Sequence, residues 1–250
     1  MNESIITSRH NPLLVHVKKL QSSRSYRKKC GEFAADGTKL LEEAAKWYPG
    51  LHTVIAQEGV ALCALPERVR VVRVSESIMR DISLMDSPQG ALFICKLPEE
   101  KEAEVVPGSL LLDGIQDPGN LGTILRTADA LDVPVVLMEG CADAYSAKTV
   151  RASMGAVLRT QPCMMTRHAA VDSCRKQKIL LLVTAMSADA LDLRKASLAA
   201  AAVVIGSEGQ GVSRELLAQA DGTIIIPMNE RCESLNAAVA ASIVMWQMKR

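Results

Sequence analysis

The stretch that decides the fold is "LLLDGIQDPGNLGTILRTADALDV", residues 110 to 133. A continuous apolar run ends in Asp113. A loop of Gly and Pro follows, then a helical pattern with Arg126 in its early turns. A strand buried on both faces reads as such a run, and strand, loop and helix in this order open a parallel crossover. The same kind of run recurs downstream in "PVVLM", "ILLLVTA", "AAVVIG" and "GTIIIP". Helical stretches fall between them near 120–131, 146–152, 169–177 and 212–220, and the chain closes on the apolar helix "SLNAAVAASIVMWQMKR". The alternation predicts a mostly parallel sheet with helices on both faces.

Upstream, "KLPEEKEAEVVPGS" (96–109) is charged, carries two prolines and has no apolar period, so it reads as a linker. Before it, "NPLLVHVKKLQSSRSYRKK" places Leu13, Leu14, Val17 and Leu20 at helical spacing, and "DGTKLLEEAAKW" reads as a helix capped by Asp36 or Thr38. "HTVIA", "RVRVVRV" and "GALFIC" read as strands, and "SESIMRDISLM" as a helix. The expected organisation is a small α/β domain over 1–97, a linker over 98–108 and a second domain over 109–250.

A chain of 250 residues, 48% apolar, can bury the core of both domains. With aromatics at 3%, that core must be aliphatic. The formal net charge of +1 leaves no global basic field. The first 30 residues nevertheless carry Arg9, Lys18, Lys19, Arg24, Arg27, Lys28 and Lys29 against Glu3 alone. Such a surface suits a polyanion such as nucleic acid; the alternative is a solvated helix face. The seven cysteines (30, 63, 95, 141, 163, 174 and 232) stand singly and no H-x-x-x-H pair occurs, which argues against a metal site and a disulfide framework. No segment resembles a signal peptide or reaches membrane-spanning length, so the expected compartment is the cytoplasm, with no membrane partner.

Three segments can carry chemistry. In the first, Gly114, Gly119 and Gly122 match neither G-x-G-x-x-G nor G-x-x-x-x-G-K-[ST], so neither nucleotide cradle is present. What remains is Asn120, able to cap the helix or present an amide, and Arg126, which shares a helix face with Gly122 and either pairs with Asp129 or stands free. In the second, "VVIGSEGQGVSRELL" (203–217), a glycine loop with Ser207, Glu208 and Gly209 joins a buried strand to a helix, where open α/β sheets bind ligands. In the third, "IIIPMNERCESLNAAVAASIVMW" (224–246), Ser234 and Asn236 stand at the mouth of an apolar helix, as a site or as a cap.

Taken together and in order, "DPGNLGTILRTADA", "IGSEGQG" and "IPMNERCESLNAAVAAS" resemble the three motifs of the SpoU (TrmH-like) class of SPOUT RNA ribose 2′-O-methyltransferases. "KTVRASMGAVLRTQP" resembles that family's RAS-x-GA segment, and "SSRSYRKKCGEFAADGTKLLEEA" resembles the opening of its substrate-binding module. The resemblance covers nearly the whole chain. It implies a small α/β, L30e-like substrate-binding domain followed by a SPOUT α/β knot, a deep trefoil with a mostly parallel sheet, in a two-fold homodimer. A threaded chain is an exception to the usual rule against knots, and no periodicity predicts it.

The resemblance also implies S-adenosylmethionine as cofactor, held by Thr184, Ala185, Gly206, Ser207, Gly209, Ile226, Met228 and Leu235. It assigns the methyl transfer to Arg126, Asn120, Glu208, Ser234 and Asn236, and the RNA grip to Arg9, Lys18, Arg24, Arg27, Lys28, Lys39 and Arg151. Arg126 enters either as general base or as stabiliser of the developing oxyanion or a neighbouring phosphate. Ribosomal RNA is the expected substrate, because the front module is commoner among ribosomal RNA enzymes. The rivals are transfer RNA methylation, a non-catalytic RNA-binding protein on the same fold, a base methyltransferase on the related knot, and a dinucleotide enzyme, which the glycine spacing disfavours.

Overall fold

The computed structural model describes residues 5–99, 103–187, 189–229 and 231–250. Residues 100–102 of the expected linker, and Glu230 of the third motif segment, lie outside the described residues. The chain divides into two compact units, Met1–Glu100 with Tyr145–Arg159, and Lys101–Ala144 with Thr160–Arg250.

The first unit holds a five-stranded mixed sheet. Its elements are β1 (Ile5–Ile6), α1 (Pro12–Ser22), α2 (Arg24–Cys30), β2 (Glu32–Asp36), α3 (Thr38–Trp47), β3 (Leu51–Gln57), β4 (Arg70–Val74), α4 (Glu76–Ile82) and β5 (Ala91–Lys96). The strand order is β1-β4-β3-β5-β2; the β1/β4 and β4/β3 pairs are parallel, and the pairs at β5 antiparallel. Leu14, Val17 and Leu20 of α1 pack with Ile55, Ile78, Leu92 and Ile94 in its core. The basic helix is not continuous. Ser23, with extended backbone (φ −126°, ψ 113°), ends α1, and its Oγ accepts from Tyr26 N to start α2. Arg27, expected on the RNA surface, is buried, and its Nη1 donates to Leu20 O at 2.5 Å, closing the end of α1. A buried guanidinium that caps a helix end cannot also reach RNA from this position. Neither Asp36 nor Thr38 caps α3. Gly37 holds that place with φ +125°, which favours glycine, and Gln89 Oε1 accepts the Thr38 N–H at 3.0 Å.

Residues 145–159, inside the expected 109–250 domain, belong to this first unit. They form α6 (Ala147–Ala152) and α7 (Ala156–Thr160). Tyr145, Val150, Val157 and Leu158 are buried, and the Tyr145 ring lies 5.0 Å from that of Phe33, which also meets Tyr48 at 5.6 Å.

The second unit holds a seven-stranded sheet in the order β10-β12-β9-β11-β6-β7-β8, parallel at every pair. Its elements are β6 (Leu110–Asp113), α5 (Pro118–Leu131), β7 (Val135–Leu137), β8 (Cys163–Met164), α8 (Arg167–Gln177), β9 (Leu181–Thr184), β10 (Leu191–Asp192), β11 (Ala202–Gly206), α9 (Arg214–Gln219), β12 (Gly222–Ile225) and α10 (Ala237–Met248). All four residues of β6 are buried, and β11 is buried from Ala202 to Ile205, as continuous apolar strands between helix layers must be. Leu111, Val136, Val183, Val204 and Leu216 meet in one core. Because every strand runs the same way, the loops after β6, β9, β11 and β12 emerge at one edge of the sheet.

Candidate active site

Three of those loops meet through side chains. Asp117 caps α5 by accepting the Asn120 N–H at 2.8 Å, so Asn120 is not the cap and its amide is free for other work. Asn120 Nδ2 donates to Glu208, in the loop after β11. Asn120 Oδ1 accepts from Asn236 Nδ2 at 3.0 Å. Asn236 Oδ1 accepts in turn from Ala238 N and Val239 N, which starts α10. The "SLN" asparagine is therefore both cap and site member. The chain Glu208–Asn120–Asn236 joins all three motif segments.

Arg126 lies on α5 two turns beyond Asn120. It is exposed, and no hydrogen bond or ion pair engages it among the described residues, Asp129 included. Gly122 is buried, so the helix face that it shares with Arg126 is closed at the glycine. Ser234 is exposed, with no hydrogen-bond partner among the described residues.

Beside this chain lies a cavity of about 340 Å³, within the range of small-molecule sites. Thr184, Ala185, Gly206, Ser207, Ile226, Met228 and Leu235 line it, as do Glu208 and Ser234. Gly209 does not line it, and a Cβ added there would meet nothing within 4 Å. Gly206 serves the geometry of its own loop. A Cβ on it would stand 2.1 Å from Gly211 C and 2.2 Å from Val212 N, so the missing side chain makes room for the loop's own return. Thr184 spends its hydroxyl on Val204 O at 2.9 Å. The pattern of residues missed Met186, Ile205, Glu233 and Ala240, which also line the cavity; Met186 follows Thr184 and Ala185 directly, and that adjacency was the available signal.

The expected RNA residues other than Arg27 are exposed in the first unit. Lys18 donates to Asp81 at 2.6 Å, and Arg9, Arg24, Lys28, Lys39 and Arg151 stand on turns or helix faces. Asp36 is buried with its carboxyl held above the usual range, chiefly by burial and against the bonds from Ser83 and Leu84. Among the described residues, no cluster suits a metal ion.

The sequence and the fold both have known relatives. Residues 108–246 match the model of the SpoU rRNA methylase family, and residues 11–92 match that of the MRM3-like substrate binding domain. The chain is 32% identical, over 98% of each protein, to the 23S rRNA (guanosine(2553)-2'-O)-methyltransferase RlmP of Bacillus subtilis. Its structure superposes on a TrmH family protein from Porphyromonas gingivalis with TM-score 0.85 and 34% identity, covering 98% of both chains. It superposes on the AdoMet-bound rRNA methyltransferase of Sinorhizobium meliloti with TM-score 0.83 and 26% identity, covering 98% of this chain and 97% of that one. The chain belongs to the SpoU rRNA methylase family and is an RNA methyltransferase.

Proposed function

We propose that the protein methylates a ribose 2′-hydroxyl of ribosomal RNA, using S-adenosylmethionine bound in the cavity that Glu208 and Ser234 help to line. The observation that carries this reading is the Glu208–Asn120–Asn236 chain, which gathers three separate motif segments around that cavity. The cavity fits the cofactor: Ile226 and Leu235 offer apolar walls, and the loops after β9, β11 and β12 offer backbone donors and acceptors for an adenosine edge. S-adenosylmethionine supplies a methyl group on a sulfonium leaving group.

The chain's own task is to place the hydroxyl and manage its charge. Arg126, exposed and unengaged, is available to clamp a phosphate or to stabilise the oxyanion that develops as the hydroxyl attacks. Asn120 is fixed at both ends of its amide, so it holds α5 and Arg126 in place relative to Glu208. Asn236 fixes the start of α10 against Asn120, and Ser234 brings to the cavity a hydroxyl unpartnered among the described residues. Support for ribosomal RNA comes from the Bacillus subtilis relative, named for a 23S rRNA ribose, and from the substrate-binding module matched over 11–92. The first unit, which includes 145–159, then grips RNA through Arg9, Lys18, Arg24, Lys28, Lys39 and Arg151, and the second unit carries the chemistry.

The same reading includes a two-fold homodimer and a deep trefoil knot in the second unit. Support for the dimer is the exposed apolar face of α10, where Val239, Ile243 and Trp246 stand out while Ala241, Val244, Met245 and Met248 are buried. A ribosomal RNA substrate puts the protein in the cytoplasm; no described helix is long and apolar enough to cross a membrane. Arg126→Ala is the direct test. Expected are lost ribose methylation and retained S-adenosylmethionine binding by calorimetry, and full activity in this variant overturns the assignment.

A further inference from the structure

The Glu208–Asn120 contact joins two loops that leave neighbouring strands, and something must hold those loops in step. The residue placed to do so is Asp113. It ends β6, pairs in register with Gly206 at the end of β11, and is 2% exposed. Its backbone leads into the loop before α5, whose first turn carries Asn120. Its Oδ2 accepts the Ser213 N–H at 2.8 Å, at the far foot of the loop that carries Glu208. One side chain thus ties the return of one loop to the start of the other.

A buried carboxylate needs a counter-charge, and Arg167 supplies it. Arg167 Nε donates to Asp113 Oδ1 at 2.7 Å, with Nη2 also 2.7 Å from that oxygen. Nη2 further donates to Glu139 O at 3.1 Å, and the Arg167 N–H to Glu139 Oε2 at 2.8 Å. The seam Ser213–Asp113–Arg167–Glu139 runs along the carboxyl edge from β11 through β6 and β7 to β8. Arg167 is also the first residue of α8, whose first turn has no acid. A cation there opposes the helix dipole. Proteins break such local rules at functional sites and offset them elsewhere, here through the pair with Asp113.

We infer that Asp113 and Arg167 are a positioning pair for the methyl transfer, fixing the Glu208 loop against Asn120 and hence against Arg126. This rests on the reading of the site as a methyltransferase centre. Neither residue touches the cavity, so the pair acts through the loop.

The experiment is a kinetic cycle of Arg167→Met with Glu208→Ala, beside amide exchange measured on the full chain without RNA or cofactor. Misplacement on the scale of an ångström is costly, so Arg167→Met should lower kcat for RNA methylation by on the order of tenfold or more. In the Glu208→Ala background the same change should cost less than about twofold, since the group being positioned is gone. Arg167→Lys, which keeps the charge and folds more surely, should recover part of the loss. Exchange of the Ser213 amide and of residues 207–213 should quicken in Arg167→Met. Equal losses in both backgrounds, unchanged kcat, or unchanged exchange in that loop overturns the inference. The exchange arm needs no activity, so it decides whether the pair anchors the loop even where the protein methylates no RNA.

Discussion

Asn236 donates its side-chain amide to Asn120 Oδ1 at 3.0 Å, across 116 residues of sequence, while Asn120 donates to Glu208. A carboxamide accepts on one side and donates on the other, which an ionised carboxylate cannot do. Asn120→Asp keeps the shape but sets a second carboxylate against Glu208. The expected outcome is a fall in turnover of roughly a hundredfold, with little change in thermal midpoint, because the site is exposed. Asn236→Ala should cost both activity and about 1 kcal/mol of stability, since it also removes the cap of α10. Steady-state kinetics beside calorimetric melting separates the two effects, and an Asn120→Asp protein of normal turnover refutes the role given to the chain.

The basic surface of the first unit can be tested residue by residue. Arg24→Glu and Lys28→Glu should weaken RNA binding and each reduce the salt slope by about one phosphate contact. Arg27→Ala should act otherwise. Its guanidinium is internal and serves Leu20 O, so its loss should lower stability by roughly 1–3 kcal/mol with no change in the salt slope. Filter binding across salt concentrations, with denaturant melts, distinguishes them.

The cysteines should divide by burial. Cys163 and Cys232 are exposed, whereas Cys95, Cys141 and Cys174 are buried. Burial pushes the Cys174 thiol up to about 11, helped by Asp221, and lifts those of Cys95 and Cys141 as well. A thiol of that kind is thiolate in about one molecule in a thousand at pH 8, before access is counted. Iodoacetamide at pH 8 should therefore label Cys163 and Cys232 within minutes and the buried three only after unfolding. Mass mapping that finds Cys174 modified in the folded protein contradicts this.

Asp36 gives a pH dependence of definite sign. Burial raises its folded pKa above the ordinary value of 3.8, so between those values the folded state holds the proton more tightly than the unfolded. Its contribution to stability is constant below the unfolded value, falls as pH rises through the folded one, and then levels off as a fixed penalty. Asp36→Asn cannot ionise. The stability of the wild type minus that of Asp36→Asn, from urea melts between pH 3 and 7, should fall with rising pH. A difference that climbs instead shows that the bonds from Ser83 and Leu84 outweigh burial.

The second unit was more legible in the sequence than the first. Its central strands are buried on both faces, so apolar continuity marks them directly. Their order along the sheet is invisible to periodicity, because it is set by crossovers. In the first unit β2 escaped notice, since "EFAAD" carries neither alternation nor β-branched residues; pairing with β5 makes it a strand. Of the site, Asn120, Arg126 and Glu208 were named from motif segments, yet the bond between Asn120 and Glu208 is a tertiary fact. Arg27 misled because charge in a helical stretch says nothing of which face it lies on. Asp113 did carry a signal, an acid closing an apolar strand, but its partner Arg167 lies 54 positions away.

The excursion of 145–159 into the first unit bears on how the protein is made. Synthesis runs from the amino end, and a domain of contiguous sequence can finish folding once its last residue emerges. Here the ring of Phe33 waits for Tyr145, and Val150, Val157 and Leu158 belong to a core whose strands were all translated by residue 96. The amino-terminal unit therefore cannot complete itself until residue 159 has left the ribosome, by which time β6, α5 and β7 of the other unit already exist. The two units mature in overlapping order, and a nascent chain arrested near residue 100 should be far more open to protease than one arrested beyond 200.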